Sequence, residues 1–317
     1  MADAVSSRWK KLRGSIPALI TPFRDGMVDH EALVTLADRQ IRRGSAGLVA
    51  AGSTGEALSL TETEYRAVLT TVVTAARRRV PVIAGVSAAS TELAIATARA
   101  AERADVDLLL CSMPYYLRPT QEGLFRHVRA VHDAVGIPLV LYDVPARTGC
   151  ALSDETVARL YELPRVIGLK DATGDLARPH RLRRLAGDGL LQFSGDDATA
   201  VEHRIAGGQG CISVTANVVP GLCAALQAQF DAGNLDALRL LQRRLRPLTE
   251  ALFLESNPIP VKRALHRLGF CADELRLPLM PLSTAADAVL AAELEVVWAA
   301  EECLARGAAR VAGTQRR

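Results

Sequence analysis

Short apolar runs and amphipathic stretches alternate along the first two thirds of the chain. The apolar runs are nearly continuous rather than interrupted by polar residues, which is typical of parallel strands covered on their outer face. They predict eight strands, at residues 16–20, 47–51, 80–84, 106–111, 138–142, 166–170, 190–194 and 211–214. Helical patterns lie between them, for example at residues 31–43, 61–78 and 91–103.

This alternation predicts an α/β fold, a (β/α)8 TIM barrel over residues 14–233. A helix start is marked by Thr61 and Glu64, which have the spacing of a capping box. A doubly wound open sheet is the alternative, but it needs fewer strands and a glycine-rich first turn. Residues 19–23, Leu-Ile-Thr-Pro-Phe, form no such turn.

Beyond residue 221 the pattern becomes helical. An apolar stripe is formed by six leucines, Leu235, Leu238, Leu241, Leu245, Leu248 and Leu252, and further helices are predicted at residues 261–268 and 285–306. We therefore expect a C-terminal helical extension, residues 234–312, packed against the barrel. A short N-terminal segment, residues 1–13, and a tail, residues 313–317, complete the predicted organisation.

Composition excludes several classes of protein. The longest apolar stretches are too short to span a bilayer, and the first eight residues contain no apolar core of a secretory signal. The six cysteines lack C-x-x-C spacing, which favours reduced thiols and a cytoplasmic location. The net charge is only +3, and the arginine runs are interleaved with acidic rather than aromatic residues. We expect neither a nucleic-acid nor a membrane partner.

Lysine is rare in this chain, and one lysine closes a predicted strand. Only four of the 38 cationic residues are lysines, and Lys170 ends the apolar run at residues 166–170. A guanidinium stays protonated, whereas an ammonium desolvated among aliphatic side chains can lose its proton and form a Schiff base. Taken alone, Lys170 is also compatible with an ordinary lysine that pairs with a carboxylate.

Other polar residues follow neighbouring predicted strands. In this fold the carboxyl ends of the strands face the active-site mouth. Tyr142 ends the strand before that of Lys170, and Tyr115 and Tyr116 follow the fourth strand, so three of the five tyrosines cluster there. The second strand runs into residues 52–56, Gly-Ser-Thr-Gly-Glu, where the glycines allow backbone N–H groups to approach a carboxylate or an oxyanion.

This set of side chains points to imine chemistry. An amine that attacks a ketone passes through a carbinolamine, and a tyrosine linked through a hydroxyl to a second tyrosine can relay the protons. The imine then acts as an electron sink, so the adjacent carbon can attack an aldehyde without a metal. The six histidines lack metal-binding spacing. Asp196 and Asp197 follow the seventh strand but would make a poor metal site, and we expect no metal.

A glycine-rich segment at residues 207–210 is similar to a phosphate cradle. It precedes the eighth strand, so it lies at the wrong end of the predicted barrel. We interpret it as a tight turn between a helix and a strand.

These residues resemble the dihydrodipicolinate synthase branch of the lysine-Schiff-base, pyruvate-dependent aldolase family. The most specific segments are Tyr-Asp-Val-Pro-Ala-Arg-Thr-Gly at 142–149 and Gly-Leu-Lys-Asp-Ala-Thr-Gly at 168–174. Further matching segments are residues 18–23, 52–56, 114–119, 194–197, 257–262 and 276–281, in the family's order over residues 14–283.

The resemblance implies a catalytic role for four residues. Lys170 forms the imine with pyruvate and Tyr142 is the acid and base. Ser53 completes a hydroxyl relay to Tyr116, which in the family enters from a neighbouring subunit. The role of Tyr116 implies a homo-oligomer, a dimer of tight dimers. The imine at Lys170 implies that no external cofactor is needed.

The resemblance also implies substrate contacts. Thr54, in the turn with Gly55, holds the pyruvate carboxylate, and Gly195 and Ile212 offer backbone contacts near the imine. Arg147 either grips the carboxylate of the second substrate, aspartate semialdehyde, or organises the site entrance; its fork suits the first role because it pairs bidentately with a carboxylate.

The chain departs from the family pattern at several positions. Ser53 replaces the usual threonine and matches the pattern of sugar-acid lyases, while Asp143 and Ala146 replace the common Asn and Ser. Ala89 and Leu93 stand where lysine-inhibited members carry polar residues that bind the inhibitor. An alanine and a leucine cannot bind its charged groups, so we expect weak or absent inhibition by lysine.

Three functions follow from these observations. The first is condensation of pyruvate with aspartate semialdehyde to 4-hydroxy-tetrahydrodipicolinate in lysine biosynthesis. The second is a related lyase or aldolase that acts on a sugar acid or another 2-oxo-4-hydroxy acid through the same imine. The third is a catalytically silent barrel that binds or scaffolds other molecules, against which Lys170, Tyr142 and Tyr116 argue.

Overall fold

The computed structural model describes residue 9 and residues 11–314, with side chains as far as residue 306. Most of the predicted N-terminal segment, residues 1–13, and of the predicted tail, residues 313–317, lies outside the described residues. Within the described part, no helix is long and apolar enough to cross a membrane.

The strands confirm the predicted barrel. In chain order they are β1 Gly14–Pro17, β2 Phe23–Arg24, β3 Met27–Val28, β4 Leu48–Ala50, β5 Val82–Val86, β6 Leu108–Ser112, β7 Leu139–Asp143, β8 Val166–Asp171, β9 Leu191–Ser194 and β10 Gly210–Ser213. Eight of them form one parallel sheet in the order β1-β10-β9-β8-β7-β6-β5-β4. A single parallel bridge between Ala18 and Val49 closes it into a barrel.

The helices alternate with the barrel strands and then continue beyond them. They are α1 His30–Arg42, α2 Glu62–Ala76, α3 Thr91–Arg103, α4 Gln121–Ala134, α5 Pro145–Thr148, α6 Asp154–Tyr161, α7 Arg178–Ala186, α8 Ala200–Ile205, α9 Pro220–Asp231, α10 Leu235–Ala251, α11 Ile259–Arg267 and α12 Thr284–Thr314. The predicted capping box is present, since the Thr61 hydroxyl accepts from the Glu64 backbone N–H and the Glu64 carboxylate accepts from that of Thr61.

Two features of the sheet differ from the prediction. Strand β1 lies earlier than residues 16–20, because the chain turns away after Pro17 and the Ile20 backbone N–H donates to Asn217 Oδ1. Strands β2 and β3 form a small antiparallel hairpin that the sequence did not predict. A strand of two residues is too short to carry a hydrophobic period.

The barrel strands are buried along their whole length, and the interior is filled by large apolar side chains such as Ile16, Ile83 and Phe193. The C-terminal extension packs on the barrel through α10. Its Leu238, Leu245 and Leu248, with Leu252 directly after the helix, join one buried cluster with α9, α11 and α12. Leu235 does not belong to this cluster and is exposed, because it lies in the first turn of α10.

Candidate active site

The carboxyl ends of the barrel strands open into a cavity of about 330 Å³. Six of the residues predicted to form the site line it: Lys170, Tyr142, Ser53, Thr54, Arg147 and Gly195. The barrel therefore gathers side chains from β7 and β8 and from the segments that follow β4, β7 and β9.

Lys170 and Tyr142 are direct neighbours across the parallel register of β7 and β8. Both side chains are buried, with 6% and 8% exposed, and the Lys170 Nζ lies 4.2 Å from the centroid of the Tyr142 ring. Equal register puts both side chains on the inner face of the barrel at the same height. An amine and a phenol thus stand side by side at the open end.

Gly195 follows β9 and packs directly against the lysine. A Cβ at this position would lie 3.1 Å from Lys170 Cε and 2.9 Å from Ala172 Cβ, so a side chain here would press on the lysine stem. The Gly195 backbone N–H donates to the Asp171 carbonyl at 2.6 Å. Because that N–H already donates to Asp171, the backbone group of Gly195 that can face a ligand is its carbonyl.

The turn at residues 52–56 holds Thr54 at the cavity. Its backbone is closed by bonds from Gly55 N to Gly52 O and from Glu56 N to Ser53 O, at 3.1 and 3.2 Å. Thr54 is 3% exposed, and its Oγ1 accepts from Asn257 Nδ2 at 3.0 Å. Ser53 is half-buried and also lines the cavity.

Gly55 lies beneath this turn rather than on the cavity wall. Its carbonyl accepts from the Thr21 hydroxyl at 2.7 Å, and the space for a Cβ is limited by Leu19 O at 3.1 Å. These contacts make Gly55 part of the turn's support. Its direct contact with a substrate stays a prediction.

Arg147 stands between the inner cavity and a larger outer one of about 930 Å³, and it lines both. It lies on the single turn α5, and its Nη2 donates to the Asn257 carbonyl at 2.9 Å. The guanidinium is exposed at the entrance, where it can meet an arriving carboxylate.

Asn257 is a residue of the site to which sequence reasoning gave no role. It is 8% exposed, it lines both cavities, and it links Thr54 to Arg147. Its Oδ1 has no hydrogen-bond partner among the described residues. The signal in the sequence was a polar residue directly before the Pro-Ile-Pro segment at 258–260.

Tyr116 and Ile212 are not among the residues that line this cavity. Tyr116 is 88% exposed and adopts a φ of 73°, held by a bond from its backbone N–H to Thr148 O at 3.2 Å. A single chain thus does not bring its phenol to Lys170, and its entry into a neighbouring subunit stays a prediction. Ile212 is buried in the barrel interior, in the same apolar cluster as Tyr142.

Asp143 and Asp171 follow Tyr142 and Lys170 along their strands, so they point outward from the barrel. Arg178 Nη1 lies 2.8 Å from Asp143 Oδ2 and 3.4 Å from Asp171 Oδ2. Burial raises the pKa of the Asp143 carboxyl, and the charge of Arg178 opposes this shift. The change from Asn to Asp at position 143 therefore falls behind the cavity wall and not on the substrate side.

Two segments noted in the sequence, an acidic one at residues 196–197 and a glycine-rich one at residues 207–210, have structural roles. The Asp197 carboxylate accepts from the backbone N–H groups of Val214 and Thr215 at 2.7 and 3.0 Å, so it caps the turn after β10. Residues 207–210 form the tight turn between α8 and β10, where Gly207 has a φ of 104°.

The fold and this site define the class of the protein: a (β/α)8 barrel that carries a buried lysine amine beside a phenol at its C-terminal mouth. Residues 11–297 match the model of the dihydrodipicolinate synthetase family, and the chain belongs to this family.

Named relatives support the assignment. The chain is 50% identical over 283 residues to the 4-hydroxy-tetrahydrodipicolinate synthase of Methylobacterium radiotolerans, covering 89% of this chain and 94% of that protein. It is 48% identical over 282 residues to the enzyme of the same name from Rhodospirillum centenum, covering 89% and 97%. Among solved structures, the dihydrodipicolinate synthase of Acinetobacter baumannii complexed with pyruvate is 41% identical with a TM-score of 0.88, covering 90% of this chain and 99% of that one.

Proposed function

We propose that the protein is a 4-hydroxy-tetrahydrodipicolinate synthase, a lyase-type enzyme of lysine biosynthesis that condenses pyruvate with aspartate semialdehyde. The family membership and the names of the relatives support this reading. The observation that carries it is the buried Lys170 amine, 4.2 Å from the Tyr142 ring, with Thr54 and Arg147 on the wall of the same cavity.

In this proposal pyruvate binds first. Thr54 and the turn around it hold the carboxylate, which brings the ketone carbon to Lys170. The neutral amine attacks that carbon, Tyr142 moves protons to and from the carbinolamine oxygen, and water leaves as the imine forms. The covalent imine supplies the electron sink, so the reaction needs no separate cofactor.

The second half of the reaction forms the carbon–carbon bond. The imine loses a proton from the methyl carbon of pyruvate, and the resulting enamine attacks the aldehyde carbon of the semialdehyde. The amino group of the semialdehyde then attacks the imine carbon and displaces Lys170, which closes the ring of the product. The free amine is restored, and one water is released over the whole cycle.

Arg147 selects the second substrate in this scheme. Its guanidinium lies at the junction of the inner and outer cavities, so it can pair with a carboxylate while the aldehyde carbon reaches the enamine. A second candidate function, cleavage of a sugar acid through the same imine, is favoured by Ser53, which matches the lyase pattern.

An activity panel separates these two functions. Pyruvate is kept as the donor while aspartate semialdehyde and sugar-derived aldehydes are compared by kcat/KM, and retro-aldol cleavage of sugar acids is measured in parallel. We expect the semialdehyde to exceed every other aldehyde by at least about tenfold. Faster cleavage of a sugar acid would replace the first function with the second. Lys170→Arg is the control that removes imine chemistry from both assays.

We further propose a cytoplasmic homo-oligomer, a dimer of tight dimers in which Tyr116 completes the proton relay of a neighbouring site. Its exposed phenol and its strained backbone support this assignment. Mixing Tyr116→Phe subunits with Lys170→Arg subunits tests it. Mixed dimers regain one intact site, because one subunit supplies Lys170 and the other supplies Tyr116. Activity of the mixture that stays at the level of the separate variants would refute the contribution of Tyr116 to a neighbouring subunit.

A further inference from the structure

A completely buried ion pair lies beneath the turn that holds Thr54. Lys262 Nζ on α11 is 2.6 Å from Glu56 Oε1 at the end of the turn, and the two side chains are 0% and 1% exposed. Lys262 is one of only four lysines in the chain. Neither residue reaches the cavity about Lys170, and the proposed reaction uses neither of them.

Both charges of this pair have additional partners. The Lys262 ammonium lies 4.1 Å from the centroid of the Phe23 ring, and Glu56 Oε2 accepts from the Arg276 backbone N–H at 3.1 Å. Desolvation lowers the pKa of Lys262, and Glu56 opposes this shift. A buried ion pair often contributes little more stability than apolar residues of similar volume, so a requirement for geometry is the better reason for placing one here.

The pair is one of several contacts through which the C-terminal extension holds the turn, beside the hydrogen bond from Arg276 to Glu56. Asn257 lies five residues before Lys262, and its Nδ2 donates to Thr54 Oγ1 at 3.0 Å. The carbonyl of Asn257 accepts from Arg147 at 2.9 Å. One segment, residues 257–262, therefore contacts the proposed groups for both substrate carboxylates and is anchored to the turn through Glu56.

The geometry points to Lys262 as a positioning residue. We infer that its ion pair with Glu56 fixes the turn at residues 52–56 and the adjoining Asn257, and thereby sets the affinity for the carboxylates held by Thr54 and Arg147. This inference rests on the proposed function of that site. It gives the C-terminal extension a part in substrate binding that the barrel does not supply.

The test compares stability with pyruvate affinity. Lys262→Met alone leaves the Glu56 carboxylate buried without its cation, so the melting temperature should fall and the pyruvate concentration for half-maximal borohydride trapping should rise. The double variant Lys262→Met with Glu56→Gln buries no unpaired charge, so most of the melting temperature should return. We expect its half-saturating pyruvate concentration to stay raised by about tenfold, with the maximal trapping rate changed much less.

Two further variants complete the design. Glu56→Gln alone keeps the shape of the side chain and should also raise the half-saturating concentration, which keeps the inference testable if Lys262→Met does not fold. Arg263→Met is the matched control, because Arg263 also lies on α11 but pairs with Asp273 and Asp287. It should lower stability and leave pyruvate saturation unchanged.

Each outcome decides one question. If the double variant and Glu56→Gln saturate with pyruvate as the wild type does, Lys262 only stabilises the fold and the inference is wrong. If the wild type itself forms no trapped adduct, the proposed function fails, whatever the variants do.

Discussion

Gly195→Ala is the substitution whose effect on the lysine can be worked out most directly. The new methyl carbon would lie 2.9 Å from Ala172 Cβ, 3.0 Å from Asp171 O and 3.1 Å from Lys170 Cε. Carbon atoms in contact normally lie about 3.5–4.0 Å apart, so the lysine stem is overlapped by roughly 0.4 Å. The Asp171 carbonyl and the Ala172 Cβ are fixed to the backbone at the end of β8, whereas the lysine stem can move.

We therefore expect the overlap with the lysine stem to be relieved by displacement of the amine, while the overlaps with Asp171 O and Ala172 Cβ shift the backbone after β9. Overpacking of this kind costs about 1–3 kcal/mol of folding free energy. A displacement of roughly half an ångström should slow imine formation by about tenfold, because reactions within a bound complex depend steeply on the placement of the reacting atoms.

The assay is the single-turnover rate of adduct formation at saturating pyruvate, measured beside the free energy of unfolding in urea. Gly187→Ala is the matched control: Gly187 ends α7 with a φ of 80°, and a Cβ there meets none of the described residues within 4 Å. It should lose about 1–3 kcal/mol of stability through its backbone alone and keep the wild-type rate. A Gly195→Ala enzyme that forms the imine as fast as the wild type would refute the proposed packing against Lys170.

Three further predictions follow from the site and its surroundings. Arg147→Ala should raise the KM for aspartate semialdehyde by about tenfold or more while pyruvate trapping is unchanged. If the pyruvate concentration for half-maximal trapping rises by the same factor, Arg147 takes part in pyruvate binding. The hydrogen bond from Arg276 lowers the pKa of Glu64 from 4.5 to about 2, so the stability it gives is complete above pH 4.5 and is lost as the pH falls toward 2. Urea unfolding should thus show Glu64→Gln to be less stable by about 1–2 kcal/mol at pH 6 and equal to wild type near pH 2, and a gap that does not change with pH would contradict this. Free lysine should not inhibit at sub-millimolar concentration, because Ala89 and Leu93 offer it no polar contacts; half-inhibition in that range would show otherwise.

The barrel could be predicted because its strands are buried on both faces. Their apolar runs mark the position and the number of the strands. Because the carboxyl ends of parallel strands lie at the same end of a barrel, Lys170 and Tyr142 could then be predicted to lie close together. The predicted boundaries of individual strands were less accurate. Strand β1 ends at Pro17 because Ala18 leaves the strand to bridge Val49, a contact set by closure of the barrel rather than by local pattern.

The parts of the site that were missed depend on distant segments. The hydrogen bond between Lys262 and Glu56 joins residues 206 positions apart, and that between Asn257 and Thr54 joins residues 203 positions apart. No period or motif within one segment reports such a contact. The sequence marked Lys262 by its residue type, in a chain that otherwise uses arginine, and by its place in the matching segment 257–262, but neither feature identifies its partner.

Reductive trapping of pyruvate tests the central claim most directly. The protein is treated with pyruvate and borohydride, and intact mass followed by peptide mapping locates the adduct. The account predicts one reduced pyruvate per chain, on Lys170, and none in Lys170→Arg, although that variant retains Lys262 and both N-terminal lysines. Absence of an adduct in the wild type, or an adduct that persists in Lys170→Arg, would contradict the account.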